Sequence, residues 1–124
     1  MEMQKTVLLV EDDKSFRESV RKLLEKEGMR VLEASSGEEG IEMLKTDRVI
    51  DLVLLDLVMP RLGGRETFHA LKAINPSVKV VLSTGYGHNE AVQALLNAGV
   101  SGFVPKPYHL RTLSEMLVRV LGER

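Results

Sequence analysis

Three acids in a row, Glu11-Asp12-Asp13, close the apolar run Val7-Leu8-Leu9-Val10, and a fourth, Asp56, closes Leu52-Val53-Leu54-Leu55. Ser83-Thr84 follows Val80-Val81-Leu82, and Lys106 follows Gly102-Phe103-Val104-Pro105. The candidate chemistry is therefore carried by carboxylates, a hydroxyl and one ammonium. Glu11, Asp12 and Asp56, brought within a few ångströms, repel one another and disfavour full ionisation. One lysine cannot neutralise three acids, whereas a hard divalent cation can. All-oxygen ligation favours Mg²⁺, or Mn²⁺, over zinc or copper. A carboxylate beside such a cation is a competent nucleophile for phosphoryl transfer and would become an aspartyl phosphate.

Taken singly, each residue also has a purely structural reading. Asp13 suits the N-cap of a following helix. Asp56 could belong to a turn before Met59-Pro60, Lys106 could be a solvated surface lysine, and Thr84 an ordinary loop hydroxyl. Those readings explain the residues one at a time but not their convergence, which depends on the elements that carry them.

Five short apolar runs, Thr6-Val10, Arg30-Ala34, Ile50-Leu55, Val78-Ser83 and Gly102-Val104, alternate with five helix-like segments. Helical spacing joins Phe16, Val20, Leu23 and Leu24, then Val92, Leu95, Leu96 and Gly99, then Leu110, Leu113, Leu117, Val120 and Leu121. Ser35-Ser36-Gly37-Glu38 has a capping-box pattern before the second helix, and Gly28 ends the first. Strict alternation predicts an α/β fold, a parallel sheet with helices on both faces. The first, third and fourth runs are continuously apolar, as central strands covered on both sides are. Arg30-Val31-Leu32-Glu33-Ala34 is half polar, and Gly102-Phe103-Val104 runs into Pro105, so both suit edges. The flavodoxin-like doubly wound order 2-1-3-4-5 meets these constraints, and in such sheets the functional crevice lies at the carboxyl ends of the strands. All four chemically equipped stretches fall at that edge.

Composition narrows the classes. The chain has 124 residues with 17 basic and 18 acidic side chains, a formal net charge of −1. That length suits a single domain, and the balance gives no electrostatic reason to expect nucleic acid or an anionic membrane as partner. No apolar stretch approaches the roughly 20 residues of a membrane helix, and no signal peptide opens the chain. Zero cysteines exclude a disulfide framework, a thiolate nucleophile and a cysteine-ligated zinc. His69, His88 and His109 lack the close pairing of a zinc motif. A soluble, cytoplasmic domain is expected, with Met1-Lys5 as a short leader. Only Gly122-Glu123-Arg124 remain after the fifth helix, so no output domain is expected within residues 1–124.

Val10-Glu11-Asp12-Asp13, Leu55-Asp56-Leu57-Val58-Met59-Pro60 with Gly64, Leu82-Ser83-Thr84-Gly85 and Gly102-Phe103-Val104-Pro105-Lys106-Pro107 together resemble a response-regulator receiver domain, over essentially residues 5 to 122. The resemblance implies a phosphoacceptor switch of two-component signalling rather than a turnover enzyme. Asp56 would take a phosphoryl group from a phosphohistidine on a sensor histidine kinase or a histidine phosphotransfer protein. Asp12, Asp56 and the main-chain carbonyl of Val58 would ligate Mg²⁺, with Glu11 acting through a metal-bound water. Thr84 and Lys106 would each meet a phosphoryl oxygen, and Phe103 would be the aromatic switch residue that follows the Thr84 loop. The Lys106-Pro107 bond would be cis. The downstream partner stays unspecified, and homodimers through the fourth helix, fifth strand and fifth helix are a family possibility.

Phe103 stands where the family often has tyrosine, and Gly63 where an acid is frequent; neither change removes a reacting group. Ser83-Thr84-Gly85-Tyr86 and Pro105-Lys106-Pro107-Tyr108 are similar to receivers of hybrid sensor kinases. Val58 and Tyr86 would flank the phosphoryl group and slow its hydrolysis. The alternative is a haloacid-dehalogenase-like phosphatase, which also uses an aspartyl nucleophile. Such enzymes resemble one another in a second acid two residues later, where this chain has Val58, which cannot donate a proton. A dinucleotide site would need G-x-G-x-x-G where Glu11-Asp12-Asp13 stands.

Overall fold

The structure, a computed structural model, describes residues 4–47, 49–58, 61–85, 89–106 and 108–122. The chain alternates strictly: β1 (Thr6–Val10), α1 (Lys14–Lys26), β2 (Arg30–Ala34), α2 (Gly37–Thr46), β3 (Leu52–Asp56), α3 (Gly64–Ile74), β4 (Lys79–Thr84), α4 (Glu90–Asn97), β5 (Gly102–Pro105) and α5 (Leu110–Leu121). The strands form one parallel sheet in the order β2-β1-β3-β4-β5. Every residue of β1 and β3 is buried, whereas β2 is mostly half-buried and β5 mixes buried, half-buried and exposed positions. The expected central and edge strands thus take those places. The boundaries shift slightly: Ile50 lies before β3, which ends at Asp56, and β4 runs on to Thr84.

Alternation along each strand builds a core on each face. Leu8, Val53, Leu55, Val80 and Leu82 point to one side and pack against Leu44 of α2, Phe68 and Leu71 of α3 and Leu95 of α4. Val7, Leu9, Leu52, Leu54 and Val81 point to the other and meet Val20 and Leu24 of α1 and Leu113 and Leu117 of α5. Three helices therefore cover one face and two the other. Gln4 and Lys5 are tied to the fold, since the Gln4 side-chain amide donates to the Gly28 carbonyl and the Arg30 N–H donates to the Lys5 carbonyl.

Local signals fix the helix ends. The Asp13 carboxylate caps α1 by accepting from Phe16 N–H at 3.0 Å, and Asn89 caps α4 through Val92 N–H. Gly28, at φ 85°, ends α1 in a left-handed turn in which its N–H donates to the Glu25 carbonyl and Met29 N–H to that of Leu24. Gly99 does the same after α4 at φ 113°, so it follows that helix rather than extending its apolar face. The capping box of α2 sits one residue later than expected. Ser36 accepts from Glu39 N–H, and the Glu39 carboxylate accepts from Ser35 N–H. The partner is Glu39 rather than Glu38 because only the N3 side chain lies over the open end of the first turn.

Candidate phosphoacceptor site

The carboxyl ends of β1 and β3 are adjacent in the sheet, so Glu11 and Asp12, just past β1, and Asp56, the last residue of β3, share one crevice. Glu11 is 2% exposed and Asp56 5%, while Asp12 is exposed. One carboxylate oxygen from each of the three lies within 4.8 Å of the others. Lys106, just past β5, reaches across β4 into this cluster. Its Nζ lies 2.8 Å from Glu11 Oε1 and 3.4 Å from Asp56 Oδ1. The backbone sets each group. Asp13 N–H donates to Glu11 Oε2, the Arg17 guanidinium donates to the Glu11 carbonyl at 2.8 Å, and Val58 N–H donates to Asp56 Oδ1 at 3.3 Å. Lys106 N–H donates to the Thr84 carbonyl at 2.7 Å.

The charges are not balanced. Burial raises the pKa of both Glu11 and Asp56; the Asp56 charge pushes Glu11 the same way and the Asp12 charge does so at Asp56, while Lys106 opposes both shifts without cancelling them. Burial also works against the Lys106 ammonium, but its hydrogen bond to Glu11 and the Asp56 charge outweigh that, and its pKa ends raised. A hard divalent cation fits this donor set.

Thr84 is fully buried at the end of β4, and Phe103 lies half-buried on β5 opposite Leu82. Leu82 and Thr84 are two residues apart, so Thr84 and Phe103 project from the same face of the sheet. Val58 is 57% exposed at the rim. The loop beyond it passes through Arg61 at φ 61°, a left-handed conformation that favours glycine. Tyr86 and the Lys106-Pro107 bond lie outside the described residues.

The family model for the response regulator receiver domain matches residues 7–118. The chain belongs to that family. Among relatives similar to this receiver domain is a cyclic di-GMP phosphodiesterase of Thermotoga maritima, 35% identical over 96% of this chain but only 32% of that protein. Another is the chemotaxis protein CheY of Halobacterium salinarum, 33% identical over 96% of this chain and 98% of the other. The chain thus spans about a third of one relative and nearly all of the second. A solved receiver domain from Clostridium thermocellum superposes with a TM-score of 0.90 at 28% identity, covering 94% of each chain. The receiver domain is a module of two-component response regulators, and nothing in these matches supports the haloacid-dehalogenase-like alternative.

The sequence reading gave no role of their own to three contributors to this crevice. The Phe16 ring lies 4.7 Å from Lys106 Nζ, the Tyr108 ring lies 5.4 Å from that of Phe16, and the Tyr108 hydroxyl shares a 2.6 Å hydrogen bond with Ser83 Oγ. Phe16 was visible only as one position on an apolar helix face. No local signal ties it to Lys106, since the contact depends on α1 and the start of α5 covering the same side of the sheet.

Proposed function

We propose that this receiver domain is a Mg²⁺-dependent phosphoacceptor switch whose nucleophile is Asp56. One Asp56 carboxylate oxygen forms the new P–O bond while the P–N bond of a phosphohistidine breaks, the electron pair leaving with the imidazole. The phosphodonor is a sensor histidine kinase or a histidine phosphotransfer protein. Asp12, Asp56 and the Val58 carbonyl would hold the divalent cation, with Glu11 acting on it at one remove through water. When bound, the cation supplies positive charge that offsets the surplus of carboxylates and the incoming phosphoryl oxygens. Lys106 exchanges its Asp56 contact for a phosphoryl oxygen, and Thr84 donates its hydroxyl to another. The displacement of Thr84 frees space on the sheet face it shares with Phe103, whose ring turns in and reshapes the surface beside β5.

The observation that carries this reading is Lys106 bridging Glu11 and Asp56 beside a third carboxylate. Incubation with acetyl phosphate and Mg²⁺ is expected to add one base-labile phosphoryl group, detected as an intact-mass gain. EDTA and Asp56→Asn should each abolish it. A gain of the same size in Asp56→Asn would sink the assignment.

A further inference from the structure

The Lys106 ammonium touches more than carboxylates. The Phe16 ring of α1 covers it at 4.7 Å, within cation–π range. Phe16 is itself held by Tyr108 in a tilted ring contact of 5.4 Å at 54°. The Tyr108 hydroxyl is fastened at 2.6 Å to Ser83, which pairs in register with Asp56 on the neighbouring strand. A chain of contacts therefore runs from α1 through the segment after β5 to β4 and ends beside the nucleophile.

We propose that Phe16 is a positioning residue for Lys106, with Tyr108 and Ser83 holding its ring in place. The inference rests on the phosphoacceptor reading of Asp56 and Lys106. Lysine has a flexible four-carbon stem and a point charge, and its other anchors here are the two carboxylates that a cation and a phosphoryl group engage. An aromatic face attracts the ammonium without adding a formal charge. A further acid would do the same only by worsening the repulsion among Glu11, Asp12 and Asp56. When Lys106 turns from Asp56 to a phosphoryl oxygen, the ring still covers it and keeps it over the reacting carboxylate. Tyr108 serves this purpose in its neutral form, because burial pushes its phenol up, away from ionisation.

The test compares Phe16→Leu, which keeps an apolar side chain but removes the π face, with Phe16→Trp, which keeps the face, and with Tyr108→Phe, which removes only the tie to Ser83. Phosphorylation of Asp56 by acetyl phosphate is followed against donor concentration, and the Lys106 side-chain methylene shifts are read by NMR. Phe16→Leu should lower the maximal rate about three- to tenfold, leave the concentration of Mg²⁺ giving half-maximal rate within about twofold, and move the Lys106 methylene signals downfield as the ring current is lost. Phe16→Trp should restore the rate, and Tyr108→Phe should slow it by about twofold. A wild-type rate in folded Phe16→Leu overturns the proposal, as does a Phe16→Trp variant that is as slow as Phe16→Leu. Should Phe16→Leu not fold, the Trp variant decides: a wild-type rate with Lys106 signals shifted further upfield supports the role, and Lys106 signals that ignore the new ring overturn it. Wild-type protein that takes no phosphoryl group on Asp56 would instead defeat the underlying reading.

Discussion

Asp56 is held in conflict with its surroundings, and that conflict is measurable. A carboxyl whose pKa is raised on folding contributes stability that is complete below the ordinary carboxyl range, about 4, and is lost as pH rises through the raised value. Burial raises Asp56 in this way, so without metal the ionised form burdens the fold near neutral pH. Asp56→Asn removes that burden. In EDTA, the variant's advantage in Tm over the wild type should grow as pH rises from about 4 and level off once the raised Asp56 value is passed. A difference independent of pH would mean that the Asp56 carboxyl ionises freely. Glu11, Asp12, Asp56 and Lys106 were legible because each follows an apolar strand, and parallel topology carries strand ends to one edge whatever the details of packing. Asp13 was legible as a cap because capping is local. The contacts of Phe16, Ser83 and Tyr108 were not, since they join segments far apart in sequence, and nothing local distinguishes a core aromatic from one that also faces an ammonium.

At the scale of elements, the start of α3 is closed in by backbone. A Cβ on Gly64 would stand 2.7 Å from Leu57 Cα and 2.8 Å from the Leu57 carbonyl oxygen, and the Gly64 N–H itself donates to that carbonyl. Backbone cannot yield as a side-chain tip can. Gly64→Ala should therefore cost about 2 kcal/mol and lower Tm by roughly 8 °C. Gly85, after β4, has no atom of the described residues within 4 Å of its would-be Cβ, and Gly85→Ala should stay within about 0.5 kcal/mol of wild type. Thermal melts of the two variants check this contrast, and equal losses would show that the β3–α3 turn relaxes. The sequence ranked the strands correctly because burial on both faces demands continuous apolar runs. It misplaced the α2 box by a residue because Glu38 and Glu39 are both acids, and only backbone geometry tells which one lies over Ser35. The left-handed turn at Arg61 carries no glycine to announce it.

For the whole molecule, the two cores differ in what they connect. α1 and α5 share a face that leads to Lys106 through Phe16 and Tyr108, whereas α4 and Phe103 belong to the opposite face. Thr84 belongs, by alternation, to the face of Phe103, yet its main chain is bonded to Lys106. Thr84→Ala should therefore separate acceptance from readout. The variant is expected to take a phosphoryl group on Asp56 but to lose most of the phosphorylation-dependent chemical-shift change around Phe103. A full wild-type shift pattern in that variant would remove Thr84 from the coupling.

The 2.7 Å hydrogen bond from Lys106 N–H to the Thr84 carbonyl makes the strand ends of β4 and β5 a single mechanical unit. On the proposed mechanism, the residue that grips the phosphoryl group and the residue that reports it then share a thermodynamic cycle, and linkage through such a cycle is reciprocal. A downstream protein that prefers the phosphorylated arrangement by ~10-fold must make the Asp56 phosphoryl group ~10-fold more favourable at equilibrium. The listener thereby becomes a regulator of its own signal, and its abundance sets how much of the receiver population carries the mark.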